Sequence, residues 1–159
     1  MADTIKFQCD LDIFDVRQYG LVNKGAPDTS IPLGLEVLLN GKSMFKTDHV
    51  TGPCKVTFDV NDNEATHKLE FVMTGKKAEH TKVNEHGEIQ SDTLLKISNF
   101  EIDEILIDNL LTSNNVEYVH DFNGTKSPTV EKFYMTMGCN GTVTFNFTTP
   151  FYLWLLEHM

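Results

Sequence analysis

The feature that most constrains the fold is an alternation of apolar and polar residues with a period of two. It runs through residues 54–60, 68–73, 95–102 and 143–147, where β-branched and aromatic side chains are frequent. Successive side chains of a strand point to opposite faces of its sheet, so this alternation is typical of half-buried strands. The sequence therefore predicts that strands form most of the structure.

Turn-forming residues separate these runs. Asn40-Gly41 lies between residues 35–39 and 43–46, and both turn residues tolerate the positive φ of a tight hairpin. Asn61-Asp62-Asn63 supplies side chains that bond to their own backbone between two further runs. Short strands with regular turns favour an antiparallel sandwich or barrel. We predict an all-β, antiparallel β-sandwich of jelly-roll kind, formed as a single domain by residues 1–159.

The apolar positions of the alternating runs define the predicted core, and the leucines around the one tryptophan place it there too. The predicted core residues are Phe7, Leu35, Val37, Leu39, Val56, Phe58, Leu69, Phe71, Ile97, Phe100, Val143, Phe145 and Trp154.

Two segments allow more than one interpretation. The apolar residues of 102–111 fit one face of a helix as well as they fit a strand followed by a turn. Residues 151–157 follow Pro150, which disfavours a helical conformation in the residue before it but can open a helix itself. For this last segment we favour a final core strand over a short capping helix.

The charge and the termini limit the possible partners. The formal net charge is −10, and such a field repels phosphate backbones, so we expect no nucleic-acid partner. The chain begins with MADTIKFQCD, which lacks the apolar run of a signal peptide, and no stretch approaches the ~20 apolar residues of a membrane span. We expect neither secretion nor a membrane partner.

The three cysteines, Cys9, Cys54 and Cys139, are an odd number and include no C-x-x-C pair. This pattern weighs against a disulfide framework and against a cysteine-rich zinc site. We expect three reduced, unpaired thiols, as in a protein made in a bacterial cytoplasm.

Motifs of enzyme chemistry are absent from the sequence. There is no G-x-S-x-G nucleophile elbow and no H-x-H or H-x-x-x-H metal pair. Asp48-His49 and His120-Asp121 are neighbours, and neighbouring side chains on a strand point to opposite faces. We therefore expect a protein that is not an enzyme, although the 23 acidic residues leave acid–base chemistry by a carboxylate pair open.

Aromatic and polar residues are mixed in residues 120–125 and 132–140. A sugar site needs such a mixture, because a flat apolar platform holds the ring while polar groups bond its hydroxyls. The alternative is that Phe133 and Tyr134 belong to the core and that Asn140-Gly141 is a hairpin turn. The predicted ligand-binding residues are Tyr134, Tyr118, His120, Asn123 and Asn140, and Asp121 is the predicted metal ligand if calcium binds.

Four stretches resemble small proteins of no assigned function that are encoded by tailed phages of marine cyanobacteria. The stretches are residues 47–50, 67–76, 118–125 and 132–159, and the likeness covers most of residues 35–159. These phage proteins carry no established catalytic motif, so the resemblance transfers no functional residue. It implies a location in the host-bacterial cytoplasm or the virion.

A looser likeness is to β-sandwich carbohydrate-binding modules, including a calcium-dependent, xylan-binding kind. It rests on Asn40-Gly41-Lys42 followed by the strand 67–73, but the chain lacks the compact acidic motif of a calcium site there. The resemblances imply a non-catalytic, phage-encoded module that binds a glycan. The alternative is a phage structural or assembly protein that contacts virion or host proteins and forms a homo-oligomer.

Overall fold

The structure is a computed structural model, in which the described part of the chain folds into twelve strands and two short helices. It describes residues 4–17, 32–50, 53–77, 81–83, 85–86, 89–113, 116–121 and 127–159. The elements are β1 (Thr4–Arg17), β2 (Leu33–Leu39), β3 (Lys42–Val50), β4 (Cys54–Asn61), β5 (Ala65–Thr74), β6 (Thr81–Val83), β7 (Ile89–Ile102), β8 (Ile105–Leu106), α1 (Asp108–Ser113), β9 (Glu117–His120), β10 (Thr129–Lys132), β11 (Thr136–Met137), β12 (Gly141–Thr149) and α2 (Phe151–His158).

Two antiparallel sheets pack face to face, which confirms the predicted all-β sandwich. The first sheet has the order β11-β7-β1-β4, with β6 and β8 also paired to β7. The second has the order β10-β9-β12-β5-β2-β3. The predicted hairpin turn joins β2 to β3, where Asn40 and Gly41 have φ of 53° and 84°. The jelly-roll connectivity stays a prediction.

Aromatic rings from both sheets fill the centre of the sandwich. Phe7 of the first sheet packs against Phe71 of the second, with ring centroids 6.2 Å apart. Phe100 meets the Phe71 ring edge-on at 5.4 Å. All the predicted core residues are buried except Leu39 and Phe58, which pack against the core while partly exposed.

A β-bulge interrupts the alternation within β7. The pairing of β1 with β7 shifts register between Gln8 and Asp10, and Asn99 on the facing strand has a φ of 54°. The extra residue turns both Ile97 and Phe100 inward although they are three positions apart. The bulge thereby directs the Phe100 ring into the aromatic centre of the sandwich.

The expected final strand is wrong, because the chain after Pro150 forms helix α2. The buried residues Phe151, Trp154 and Leu155 have helical spacing, which the apolar residues between them hide in the sequence. The Asp62 carboxylate accepts the Phe151 N–H at 2.9 Å, which satisfies one of the open N–H groups at the helix start.

Both interpretations of residues 102–111 hold in part. β7 ends at Ile102, a turn with positive φ at Asp103 and Glu104 leads into β8, and α1 follows. The Asp108 carboxylate accepts the N–H groups of Asn99 and Phe100, which ties α1 to the bulged strand. No helix within the described ranges is long and apolar enough to cross a membrane.

Candidate functional site

The predicted polar residues meet at one corner of the second sheet, where β9 lies between β10 and β12. His120, at the end of β9, pairs with Thr129 on one side and with Gly141 on the other. A side chain at Gly141 would not fit, because its Cβ would lie 2.4 Å from the Val119 carbonyl oxygen and 2.8 Å from the His120 Cβ. The glycine therefore allows β12 to begin directly against His120.

A small pocket opens at this corner, with a volume of about 200 Å³. It contains three of the predicted site residues, which come from two separate parts of the chain. Valine and proline side chains supply an apolar wall, and carboxylate, amide and imidazole groups supply the polar part. The lining residues are Val119, His120, Asp121, Pro128, Asn140 and Gly141.

The His120 imidazole is buried and held by a carboxylate. Its Nε2 lies 2.8 Å from Oε2 of Glu131, which belongs to the neighbouring strand β10. An ionised carboxylate only accepts hydrogen bonds, so the imidazole donates from Nε2. The ring orientation at the pocket is therefore set by Glu131, a residue that the sequence interpretation missed.

The Asn140 amide joins the pocket to residue Lys76. Its Oδ1 accepts the Lys76 N–H at 2.8 Å, and its Nδ2 donates to the Lys76 carbonyl at 3.3 Å. The Lys76 ammonium is buried and donates to the Asp92 carboxylate at 2.6 Å and to the Thr93 carbonyl at 2.5 Å. Asn140 therefore fixes the backbone of Lys76 as well as lining the pocket.

The interpretation of Tyr118 as an open sugar platform is wrong. Its side chain lies on the inner face of the sheet and is only 5% exposed. The phenol donates to the Cys139 carbonyl and accepts the Cys139 N–H at 2.8 Å, and burial raises the pKa of Tyr118. The centroids of the Tyr118 and His120 rings are 4.6 Å apart, so Tyr118 packs against a residue of the pocket from the buried side.

Tyr134 is exposed, as a platform requires, but it lies away from the pocket. Phe133 bonds to the Val116 carbonyl, which places Tyr134 beyond the opposite end of β9 from His120. Four residues of strand separate these ends, roughly 10 Å. The Lys132 ammonium lies 5.6 Å from the Tyr134 ring centroid, within the range of a cation–π contact. The proposed core position of Tyr134 is likewise wrong, whereas Phe133 is buried.

Asp121 is the residue predicted to bind calcium, if the ion is bound. Among the described residues, no group of three or more His, Cys, Asp or Glu side chains could hold a metal ion. The predicted ligand-binding residue Asn123 lies outside the described residues, as do its neighbours from 122 to 126. Calcium binding at Asp121 and ligand binding at Asn123 stay predictions.

Comparison of the chain with protein-family models, curated proteins and solved structures gave no match. Besides Glu131, sequence interpretation missed Val119 and Pro128, which form the apolar wall of the pocket. The alternation in β9 carries the signal for Val119, because it turns outward where His120 turns inward.

A second surface feature is the outer face of α2. Four large apolar side chains are exposed there, Tyr152, Leu153 and Leu156 on the helix and Met159 directly after it, next to the exposed Glu157. The opposite face of the helix is anchored to the second sheet, where Phe151 packs against Phe147 and Trp154 against Phe145. We define these four exposed residues as the α2 face.

The three thiols differ in exposure, which predicts an order of reaction with a thiol reagent. All three are unpaired: Cys54 is exposed, Cys139 is partly buried and Cys9 is buried. Burial raises the pKa of the Cys139 and Cys9 thiols, which lowers their thiolate fractions at neutral pH. We expect Cys54 to react first, Cys139 more slowly, and Cys9 only after unfolding.

Peptide mass mapping after timed labelling measures this order, and raising the pH should accelerate Cys139. Denatured, non-reduced protein should yield three reactive thiols. Native labelling of Cys9 as fast as Cys54 would contradict the burial of β1.

Proposed function

We propose that this protein is a non-catalytic module that binds a neutral glycan in the pocket of His120, Asp121 and Asn140. The observation that carries the proposal is the convergence of these three residues on one pocket with an apolar wall. A volume of about 200 Å³ suits a single sugar ring or the end of a chain. The apolar wall contacts C–H groups of the ring, and the polar rim bonds hydroxyls.

The ligand class follows from charge. A net charge of −10 opposes the approach of anionic polysaccharides, and Asp121 adds a carboxylate at the pocket itself. Neutral sugars offer hydroxyl donors to that carboxylate without electrostatic repulsion.

Binding in so small a pocket should be weak, with a Kd of about 0.1–1 mM, or about −4 to −5.5 kcal/mol. A glycan array, followed by calorimetry with neutral oligosaccharides, measures this affinity.

We expect Asp121→Ala to weaken glycan binding at least about tenfold, roughly the 1.4 kcal/mol of one charged hydrogen bond. Tyr134→Ala should leave it unchanged, because this exposed aromatic lies beyond the other end of β9.

Titration with calcium and with a chelator separates the direct role of Asp121 from a metal-mediated one. Loss of binding with the chelator, restored by added calcium, would show that glycan binding depends on calcium. The proposal fails if no neutral glycan binds at millimolar concentration, or if Asp121→Ala binds as tightly as the unaltered protein.

A second candidate function is that of a structural or assembly protein, and the α2 face is the observation that favours it. Contiguous exposed apolar side chains mark protein contact sites. The resemblance to proteins of marine cyanobacterial tailed phages supports a phage origin for both candidates. In that setting the ligand is a host or virion polysaccharide, and the protein partners are virion or host proteins.

A further inference from the structure

A cleft separate from the His120 pocket opens between β12 and helix α2. β9 pairs with residues Gly141–Thr144 of β12, whereas β12 itself extends to Thr149. The helix packs against β12 through the contact of Trp154 with Phe145. The cleft has a volume of about 340 Å³, at the lower end of the roughly 300–1,000 Å³ of pockets that hold small molecules. We call it the Trp154 cleft, and its lining includes Glu117, Thr144, Phe145, Asn146, Trp154 and His158.

Trp154 contributes a buried hydrogen-bond donor to this cleft. Its side chain is only 4% exposed, yet no described residue accepts a hydrogen bond from its indole N–H. Buried polar groups are bonded in the great majority of cases, so this donor is an exception. Phe151 and His158 stack on the indole at 5.5 Å and 4.2 Å, from about one helical turn before it and one after it. They cover the two ring faces, so the cleft meets the ring edge, to which the N–H belongs.

His158 and Glu117 contribute acceptors to the same cleft. The His158 Nδ1 lies 2.7 Å from the Trp154 carbonyl, which only accepts, so Nδ1 donates and the Nε2 of the neutral ring is an acceptor. Glu117 is exposed at the start of β9 and makes no ion pair with a described residue. Lys132 is opposite Glu117 on β10, but its ammonium lies over the Tyr134 ring.

We propose that the Trp154 cleft binds a small amino alcohol, with its ammonium at the Glu117 carboxylate and its oxygen accepting the Trp154 N–H. An ionised carboxylate only accepts hydrogen bonds and an indole N–H only donates, so the ligand needs both a donor and an acceptor. A net charge of −10 attracts cations, and the described residues that line the cleft include no Lys or Arg. The inference goes beyond glycan binding and uses none of the residues of the His120 pocket.

The pairing of the two groups predicts selectivity. A diol offers an oxygen to the Trp154 N–H but no cation to Glu117, and a simple amine leaves the indole N–H without an acceptor. An amino alcohol carries both groups on neighbouring carbons, whether it is a free compound or part of an amino sugar. Because an ion pair with an exposed carboxylate contributes little, we expect a Kd on the order of 1 mM.

Nuclear magnetic resonance tests the proposal directly. The chain has one tryptophan, so isotope-labelled protein gives a single indole N–H signal. Ethanolamine, added at constant pH and ionic strength, should shift this signal until it saturates, whereas ethylene glycol should leave it in place. Glucosamine carries the same two groups on a sugar ring, and the tighter of the two amino alcohols shows which source the cleft favours. Raising sodium chloride from about 0.1 M to 1 M should weaken binding by screening the attraction.

Glu117→Gln should weaken ethanolamine binding by about fivefold, the upper end for an exposed ion pair. Glu104→Gln is the matched control, because it removes the same charge from an exposed glutamate in the turn after β7 and should leave binding unchanged. Trp154→Phe keeps an aromatic ring but removes the N–H, and calorimetry should detect weaker binding. Near-ultraviolet circular dichroism verifies folding. If Trp154→Phe proves unfolded, Glu117→Gln still decides, since it alters only an exposed side chain.

An indole signal that moves with neither amino alcohol overturns the proposal, and so does an equal response to ethylene glycol. Equal weakening by Glu117→Gln and Glu104→Gln overturns it as well, because only the overall charge would then matter. Asp121→Ala should leave ethanolamine binding unchanged, and its loss in that variant would place the amine in the His120 pocket instead. Failure of the Trp154 cleft and failure of the glycan pocket are therefore distinguishable.

Discussion

Phe71→Ala should lower the free energy of unfolding by about 3–5 kcal/mol, the largest loss that we expect from one substitution. Phe71 is 1% exposed and lies in the middle of the second sheet, paired with Val143 and Val37. Its ring contacts Phe7 and Phe100 of the opposite sheet. Alanine would leave a cavity between the two sheets, where neighbouring backbones cannot move together to fill it.

Urea unfolding measures the loss, with the fluorescence of the single tryptophan, Trp154, as the signal. Phe58→Ala is the matched control, because Phe58 stacks on Phe7 at 4.8 Å while remaining partly exposed. Phe58→Ala should lower the free energy of unfolding by clearly less than Phe71→Ala does. Equal losses from the two variants would contradict the placement of Phe71 at the centre of the sandwich.

Asp92→Ala should produce the second-largest loss, about 3 kcal/mol, by leaving a buried ammonium without its carboxylate. The Lys76 side chain is 1% exposed, and its Nζ lies 2.6 Å from the Asp92 carboxylate. Removing one member of a buried ion pair is more damaging than replacing the charge by an apolar group. Lys76→Met should therefore lower stability less than Asp92→Ala does.

The double variant, Lys76→Met with Asp92→Ala, completes the test. Because it has no unpaired buried charge, it should be more stable than Asp92→Ala alone. Losses that simply add would show that the ion pair contributes nothing at this position. Denaturant unfolding of the unaltered protein and of the three variants provides the four free energies of the cycle.

Much of the fold is predictable from local pattern. The alternation around Val56, Leu69 and Val143 identifies strands and their buried faces, because side-chain direction within a strand follows sequence position alone. The Asn40-Gly41 hairpin is equally local, since it depends on residues that accept positive φ. The very short strands β6, β8 and β11 have too few residues to show a period and were not predicted.

The candidate site was only partly predictable. His120, Asp121 and Asn140 were singled out by residue type, and the structure brings them together. Tyr134 was grouped with them because it is close in sequence, but the chain crosses from the second sheet to the first just after β10 and carries it away. The prediction that Tyr118 binds the ligand overlooks the alternation in β9, which directs its side chain inward.

The sequence by itself determined the strand content and most of the core-facing residues of those strands, because both depend on local geometry. Only the tertiary structure decided that residues 151–158 form a helix, that His120 bonds to Glu131 and that Lys76 is buried with Asp92. These features depend on which strands become neighbours. Strand pairing joins residues far apart in the chain, and no local period encodes it.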